Sequence, residues 1–127
     1  MNTAFLLPLV FGLLAAEPET PVSAAEAVKR PGQTLLVEMR VQAAKDRVEK
    51  RGLIYLDSED DFHRPGNLGV AITAAGKSKF KAKGIADPAA HFLGKTIRVR
   101  GEVLVFEERP YLPVTDPGQI QVIEPAK

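Results

Sequence analysis

The sequence contains no cysteine, which excludes disulfide bonds, thiol catalysis and a lipid-modified N-terminal cysteine. This absence does not oppose export, because a domain with an adequate core needs no disulfides. A strong charge of either sign is also lacking, since 17 Lys and Arg residues nearly balance 16 Asp and Glu residues and the formal net charge is +1. Tight nucleic-acid binding usually needs a strongly basic surface, so any such binding must come from a local patch.

A hydrophobic run long enough to span a membrane is lacking as well. Residues 1–16 carry no charge, and their apolar run is shorter than the roughly 20 residues that a spanning helix needs. The run ends in small residues, which is typical of a secretory signal. We predict a signal peptide over residues 1–16, with cleavage after Ala16 or after Ala24, and a periplasmic or secreted protein. The alternative is a buried N-terminal helix, because no Lys or Arg precedes the run.

Residues 17–32 are rich in Ala, Glu and Pro, and we predict a disordered linker there. Beyond it, apolar and polar residues alternate, which indicates half-buried strands. The charged stretch 43–51 is interpreted as a loop, and Gly101 as a bulge or bend within a long strand. The strands are predicted over residues 34–42, 52–57, 68–73, 96–106, 109–114 and, as a short closing segment, 119–124.

The stretch 76–84, GKSKFKAKG, has lysine at every second position. On a strand, the four ammonium groups would share one face, as if for an anionic ligand. However, Gly84 followed by Ile85 is the mark of a Schellman cap, in which Ile85 contacts Phe80. Lysines also suit the negative end of a helix dipole. We therefore favour a short helix with solvated lysines over a lysine-lined strand.

The predicted order of elements is β-β-β-α-β-β, with a bent fourth strand. Five strands in about 90 residues with a helix between the third and fourth are typical of the OB-fold, a small Greek-key barrel. We therefore predict a mainly β, five-stranded OB-fold Greek-key barrel over residues 33–124.

Several short motifs occur together in the C-terminal third. They are Gly94-Lys95 before a Val-rich strand, Gly101-Glu102-Val103 within it, Arg109-Pro110 after a short loop, and Asp116-Pro117-Gly118-Gln119-Ile120 near the end. In these motifs the chain resembles small bacterial exported OB-fold proteins to which nucleic-acid binding is ascribed. The resemblance implies the fold and a binding function inferred from that fold. The loop 106–108, Phe-Glu-Glu, departs from those relatives, which tend to carry Tyr and basic or glycine residues, and its two acids oppose phosphate.

Binding OB-folds use the outer face of the second and third strands and the loops that flank it. Cations with an aromatic platform suit a single strand, because phosphates require positive charge and bases stack. The alternative is a solvated loop in which Asp46 and Glu49 pair locally with neighbouring cations. The candidate nucleic-acid-binding residues are Lys45, Arg47, Lys50, Arg51, Tyr55, Arg109 and Tyr111.

The other polar residues do not indicate a catalytic or metal-binding site. The acidic run 57–63 has oxygen ligands at alternate positions, as Ca²⁺ sites do. It lacks the glycine and the closing Glu of an EF-hand, so we interpret it as a polar turn. His63 and His91 have no serine or cysteine partner at a recognised spacing. We expect no catalytic residues, no metal site, no cofactor and no enzymatic activity.

The expected function is that of a non-enzymatic OB-fold binding module with weak affinity for single-stranded nucleic acid. The alternative is an exported protein-interaction or adaptor domain of the cell envelope with no nucleic-acid ligand. The partner would then be a single strand or an envelope protein, with no membrane insertion after signal cleavage. Near-neutral charge and export favour the alternative, whereas the fold and the resemblance favour nucleic acid.

Overall fold

The computed structural model describes residues 19–123. The predicted signal peptide, residues 1–16, lies outside them. Within this range no helix has the length and apolar character needed to cross a membrane.

The secondary structure is mainly β, with short helices between strands. The elements in chain order are β1 (Val22–Ser23), α1 (Ala24–Ala27), β2 (Thr34–Arg40), β3 (Ala43–Arg47), α2 (Val48–Arg51), β4 (Leu53–Asp57), β5 (Gly69–Thr73), α3 (Ala74–Ala82), α4 (Pro88–Phe92), β6 (Thr96–Glu102), β7 (Leu104–Phe106), β8 (Arg109–Val114), a 3-10 turn (Pro117–Gln119) and β9 (Ile120–Val122).

The strands form two mixed sheets. One has the strand order β1-β2-β6-β9, and the other has the order β3-β4-β5-β8-β7. The chain passes directly from a strand of one sheet to a strand of the other at residues 41–42, between β2 and β3, and at Val103, between β6 and β7; it also changes sheet through the helices between β5 and β6 and through the 3-10 turn between β8 and β9. Because successive side chains of a strand point to opposite faces, alternate residues of both sheets meet in one core. Its largest fully buried side chains are Phe80, Ile54, Leu56, Leu68, Ile72, Ile97, Leu112, Val37, Val41, Val70, Val99 and Val103.

The charged stretch 43–51, predicted as a loop, is instead strand β3 followed by the helical turn α2. Strand β3 pairs antiparallel with β4, with Lys45 opposite Tyr55. The turn ends at Gly52, whose φ of 72° is left-handed, a conformation that glycine adopts at little cost. The prediction was wrong because Ala, Lys and Asp have low strand propensity, whereas pairing with β4 supplies the backbone hydrogen bonds that decide the structure.

The predicted long strand 96–106 is two strands in different sheets. The break falls at Val103, which is buried, and not at Gly101. Gly101 lies within β6, opposite Leu35, and a Cβ there would lie 2.5 Å from Leu112 Cδ2. Close packing against Leu112, rather than a bulge, therefore requires glycine at this position.

The segment predicted as a disordered linker, residues 17–32, contains β1 and α1. Strand β1 pairs in parallel with β2. The Ser23 hydroxyl accepts a hydrogen bond from the Glu26 N–H at 3.1 Å, which caps α1. Ala24 and Ala27 are buried in the core. The composition of this segment suggested disorder because alanine buries little apolar surface. The small alanine side chains nevertheless fit into the core where there is little room.

The lysine-rich stretch is a helix, as predicted. The Thr73 hydroxyl caps its start by accepting from the Gly76 N–H at 3.0 Å. At its end, Gly84 has a φ of 91°, and the Ile85 N–H donates to the Phe80 carbonyl at 2.9 Å, as in a Schellman motif. Phe80 is buried and Ile85 packs against the core.

The four lysines of α3 and its C-terminal cap do not form a row. Lys77 Nζ lies 2.8 Å from Asp46 Oδ2 on β3. Lys79 Nζ lies 3.7 Å from Asp116 Oδ2, near the 3-10 turn. Two of these ammonium groups therefore pair with carboxylates on different parts of the fold, and a single anionic ligand has no lysine row to bind.

Candidate nucleic-acid interface

A broad groove lies on the outer face of the five-stranded sheet. Its floor consists of side chains that alternate with the buried ones along β3, β4, β5 and β8. One row across the sheet contains Asp57, Gly69 and Tyr111 on three neighbouring strands. The groove is open to solvent and has a volume of about 1320 Å³. Sites for small molecules usually have volumes of roughly 300–1,000 Å³. This larger, open groove therefore suits an extended ligand better than a compact small molecule.

All seven residues predicted from the sequence line this one groove. Tyr55 lies on β4, half-buried, directly opposite Lys45 of β3. Two of the predicted cations, Lys45 and Arg47, lie on strand β3 rather than in a loop. The predicted residues in the groove are Lys45, Arg47, Lys50, Arg51, Tyr55, Arg109 and Tyr111.

The charge of the groove is predominantly positive. Its acids are Asp57, Glu107 and Glu108, and its cations are Lys45, Arg47, Lys50, Arg51, Arg64 and Arg109. Asp46, which could have neutralised the cations of β3, is instead paired with Lys77 of α3. The hydrogen bond from Lys77 holds the pKa of the Asp46 carboxyl below its usual value. The groove therefore contains a local basic patch, which nucleic-acid binding needs in a protein whose net charge is only +1.

The loop between β4 and β5, residues 58–68, adds an aromatic ring to the groove. Lys45 Nζ lies 4.2 Å from the centroid of the Phe62 ring, and Arg109 Cζ lies 4.4 Å from it. Both distances are within the range of cation–π attraction. The His63 ring lies 4.1 Å from that of Phe62, centroid to centroid. Sequence reasoning missed Phe62 because the only signal was one aromatic residue within an acidic turn.

Asp57 and Asn67 fix the base of this loop. Both are buried, and Asn67 Nδ2 donates to Asp57 Oδ1 at 3.1 Å. Asn67 Oδ1 accepts from the Glu59 N–H at 2.9 Å, and the Ser58 hydroxyl accepts from the Leu68 N–H at 2.9 Å. Burial raises the pKa of Asp57, while the hydrogen bond from Asn67 and the charges of Lys45 and Arg109 oppose that rise.

A two-residue turn joins β7 to β8 at one edge of the groove. Phe106 and Arg109 pair across it, and Phe106 is 65% exposed. Glu107 and Glu108 both have positive φ, 51° and 66°, where Asn-Gly is the favoured sequence of a tight hairpin. A side chain in this conformation costs roughly 1–2 kcal/mol. The turn therefore holds two glutamates with strained backbone conformations next to the exposed ring of Phe106.

Asp61 and His91 are two further groups whose pKa values are shifted, one by hydrogen bonds and the other by desolvation. Asp61 accepts from the His63 N–H at 2.9 Å, and this hydrogen bond lowers the pKa of Asp61. Desolvation lowers the pKa of His91 on α4. In residues 19–123, no group of three or more His, Asp or Glu side chains is placed to hold a metal ion.

No protein-family model and no curated protein matches the sequence, so the resemblance to small exported bacterial proteins stays a prediction. Several solved structures share the fold. A chain of the Stn1–Ten1 complex of S. pombe has a TM-score of 0.50 and 13% identity, over 72% of this chain and 59% of that one. Asparaginyl-tRNA synthetase from Pyrococcus horikoshii has a TM-score of 0.53 and 16% identity, over 84% of this chain and 23% of the synthetase.

A third similar structure is an OBody, AM1L10, bound to hen egg-white lysozyme. It has a TM-score of 0.52 and 14% identity, over 87% of this chain and 99% of the OBody. At such identities the similarity concerns the fold alone. The protein is thus mainly β, with two mixed sheets, and its structural neighbours are OB-fold-type proteins.

Proposed function

We propose that this chain is a non-enzymatic OB-fold module that binds single-stranded nucleic acid weakly, in the groove of the five-stranded sheet. The observation that supports the proposal most strongly is that cations and aromatic rings from β3, α2, β4 and β8 converge on one open face. Phosphates along a single strand require distributed positive charge, and every base has a face that can stack on an aromatic ring.

The pairing of the strands supports a closed five-stranded barrel as the scaffold. If β2–β3 and β6–β7 are each counted as one bent strand, β3 pairs with β4, β4 with β5, β5 with β8, β8 with β7, and β6 with β2. This order is circular and joins the two sheets. With helices α3 and α4 between β5 and β6, this order supports the OB-fold Greek-key barrel as the architecture.

Weak affinity follows from the charges around the groove. Glu107 and Glu108 bring negative charge to one edge, and the net charge of +1 supplies little long-range attraction for a polyanion. Binding therefore depends on short-range contacts, and we expect it to be measurable at low salt and to weaken as salt is added.

We further propose that the protein is exported to the periplasm or secreted. The uncharged apolar start of the chain supports a signal peptide. Cleavage after Ala16 fits the fold better than cleavage after Ala24, because the later site would remove β1 and the buried Ala24.

A second candidate function is that of an exported protein-interaction domain. The observation that favours it is the hairpin between β7 and β8, where Val105 is 51% and Phe106 65% exposed beside two glutamates. An exposed aromatic ring is a typical anchor of protein interfaces. The OBody bound to lysozyme is an example of a similar fold that binds a protein.

Fluorescence anisotropy of a labelled oligothymidylate, titrated with the full chain at low salt, tests the proposal. We expect saturable binding that an unlabelled oligothymidylate competes away. The double variant Lys50→Ala/Arg51→Ala should bind more weakly, because it removes two groove cations. If no saturable binding occurs at low salt, the nucleic-acid proposal fails and the protein-interaction function is favoured.

A further inference from the structure

Asp57 is a buried carboxylate in a cationic groove, and one of its oxygens has no hydrogen-bond partner among residues 19–123. Its side chain lines the groove although the residue is only 5% exposed. Asn67 occupies Oδ1, whereas no group of residues 19–123 donates a hydrogen bond to Oδ2. No fully buried side-chain nitrogen or oxygen in this range lacks a partner, so Oδ2 is not fully buried.

This carboxylate is not explained by phosphate binding or by loop anchoring. It would repel a phosphate, and a neutral side chain of the same size could also accept the hydrogen bond from Asn67. No cation of residues 19–123 forms an ion pair with it, because Lys45 and Arg109 lie over the Phe62 ring. Burial of an unpaired charge is costly, so the feature points to a ligand group that donates hydrogen bonds.

Space for such a group exists beside Asp57. Gly69 lies between Asp57 and Tyr111 in the same row, and neighbouring strands are about 4.8 Å apart. The outer strands of this row, β4 and β8, are therefore about 10 Å apart, and Gly69 adds no side chain of its own between them. A Cβ on Gly69 would lie 3.3 Å from Asp57 Oδ1. The resulting slot has an acceptor on one wall and an aromatic ring on the other.

We propose that this slot, formed by Asp57, Gly69 and Tyr111, is a subsite that reads an unpaired guanine. Guanine is the base whose Watson–Crick edge presents two adjacent donors, N1–H and N2–H, to a carboxylate; here Oδ2 is free, and Oδ1 retains a lone pair beside the hydrogen bond from Asn67. Its O6 acceptor lies next to these donors and matches the cations Lys45 and Arg109. The inference rests on the proposed function, because the base belongs to a single strand that follows the groove.

Oligothymidylates that carry one central guanine, inosine, adenine or cytosine test the subsite, with plain oligothymidylate as the reference. The parent should bind the guanine oligonucleotide about tenfold more tightly than the reference, as a well-placed pair of hydrogen bonds discriminates. Inosine lacks the N2 amino group and should lose much of this gain. Adenine and cytosine should show little of it.

Two variants separate the reading of guanine from binding in general. Asp57→Asn keeps the size of the side chain and an acceptor for Asn67, but it replaces a carboxylate oxygen by a donor. It should abolish the preference for guanine while plain oligothymidylate still binds. Gly69→Ala fills the slot and should reduce the same preference. Circular dichroism and thermal unfolding verify that both variants are folded.

The outcomes distinguish the inference from the proposed function. If the parent binds all oligonucleotides equally, or if Asp57→Asn keeps the preference for guanine, the subsite is wrong although the groove still binds single strands. If the parent binds none of them at low salt, the proposed function fails and the subsite fails with it. A guanine preference that disappears in both variants supports the assignment.

Discussion

Replacement of Tyr55 by alanine removes the aromatic ring at the centre of the groove and should weaken binding of a single-stranded oligonucleotide. Tyr55 is half-buried on β4, between Lys45 of β3 and Ala71 of β5. Stacking of a base on such a ring contributes about 1–3 kcal/mol, so the Kd should rise roughly 5- to 150-fold.

The assay is anisotropy of a labelled oligothymidylate at constant low salt, with Tyr55→Phe as the matched control. Tyr55→Phe keeps the ring and removes only the hydroxyl, so its Kd should stay within about twofold of the parent if stacking is the dominant contribution. Thermal unfolding must show that both variants are folded. An affinity of Tyr55→Ala equal to that of the parent would refute the assignment of Tyr55 as a stacking platform.

Three further predictions concern stability and processing. Gly84→Ala should lower the free energy of unfolding by about 1 kcal/mol or more, because a residue with a Cβ must adopt the left-handed conformation; parent-like denaturant unfolding would contradict this. Burial raises the pKa of Asp57 above its usual 3.8, so the folded protein binds a proton at this carboxyl more tightly than the unfolded chain does. The stability that this group contributes is therefore lost as the pH rises through the pKa of the folded state. Urea unfolding of Asp57→Asn and parent should therefore differ increasingly in favour of the variant as the pH rises from below 3.8, and a constant difference would contradict the pKa shift. Expressed in a bacterial host, the chain should appear in the periplasm beginning at residue 17, and intact Met1 on cytoplasmic protein would exclude export.

The alternation of apolar residues predicted most of the sheet, because burial on one face imposes a period of two on the sequence. The helix α3 was predicted from its end, since Gly84 and Ile85 form a motif that depends on local backbone geometry. Strand β3 and the segment of β1 and α1 could not be predicted in this way. Their residues are small or charged, and pairing with β4 and β2 decides their structure.

Some residues of the candidate site could be located from the sequence, whereas others depend on contacts that the sequence does not reveal. Tyr55 was placed between the two flanking loops because the strand order implies which segments are neighbours, whereas Lys45 was assigned to a loop and lies on β3. Phe62 could not be placed, because the path of the loop 58–68 depends on hydrogen bonds between Asp57, Asn67 and the loop backbone. The acidic stretch that was interpreted as a polar turn also supplies a ring that contacts two cations.

The salt dependence of binding, measured on two variants with equal loss of charge, tests the central claim most directly. Lys50→Ala/Arg51→Ala removes two cations from the groove, whereas Lys81→Ala/Lys83→Ala removes two exposed lysines that do not line it. Affinities for an oligothymidylate are measured between about 50 and 200 mM salt, and each phosphate contact on a single strand contributes about −0.7 to the log–log slope.

With about three or four phosphate contacts, the parent slope should be roughly −2 to −3. The groove variant should be shallower by up to about 1.4 units, and the variant at the end of α3 should keep the parent slope. Equal changes in both variants, or a loss confined to Lys81→Ala/Lys83→Ala, would contradict the assignment of the groove as the nucleic-acid interface.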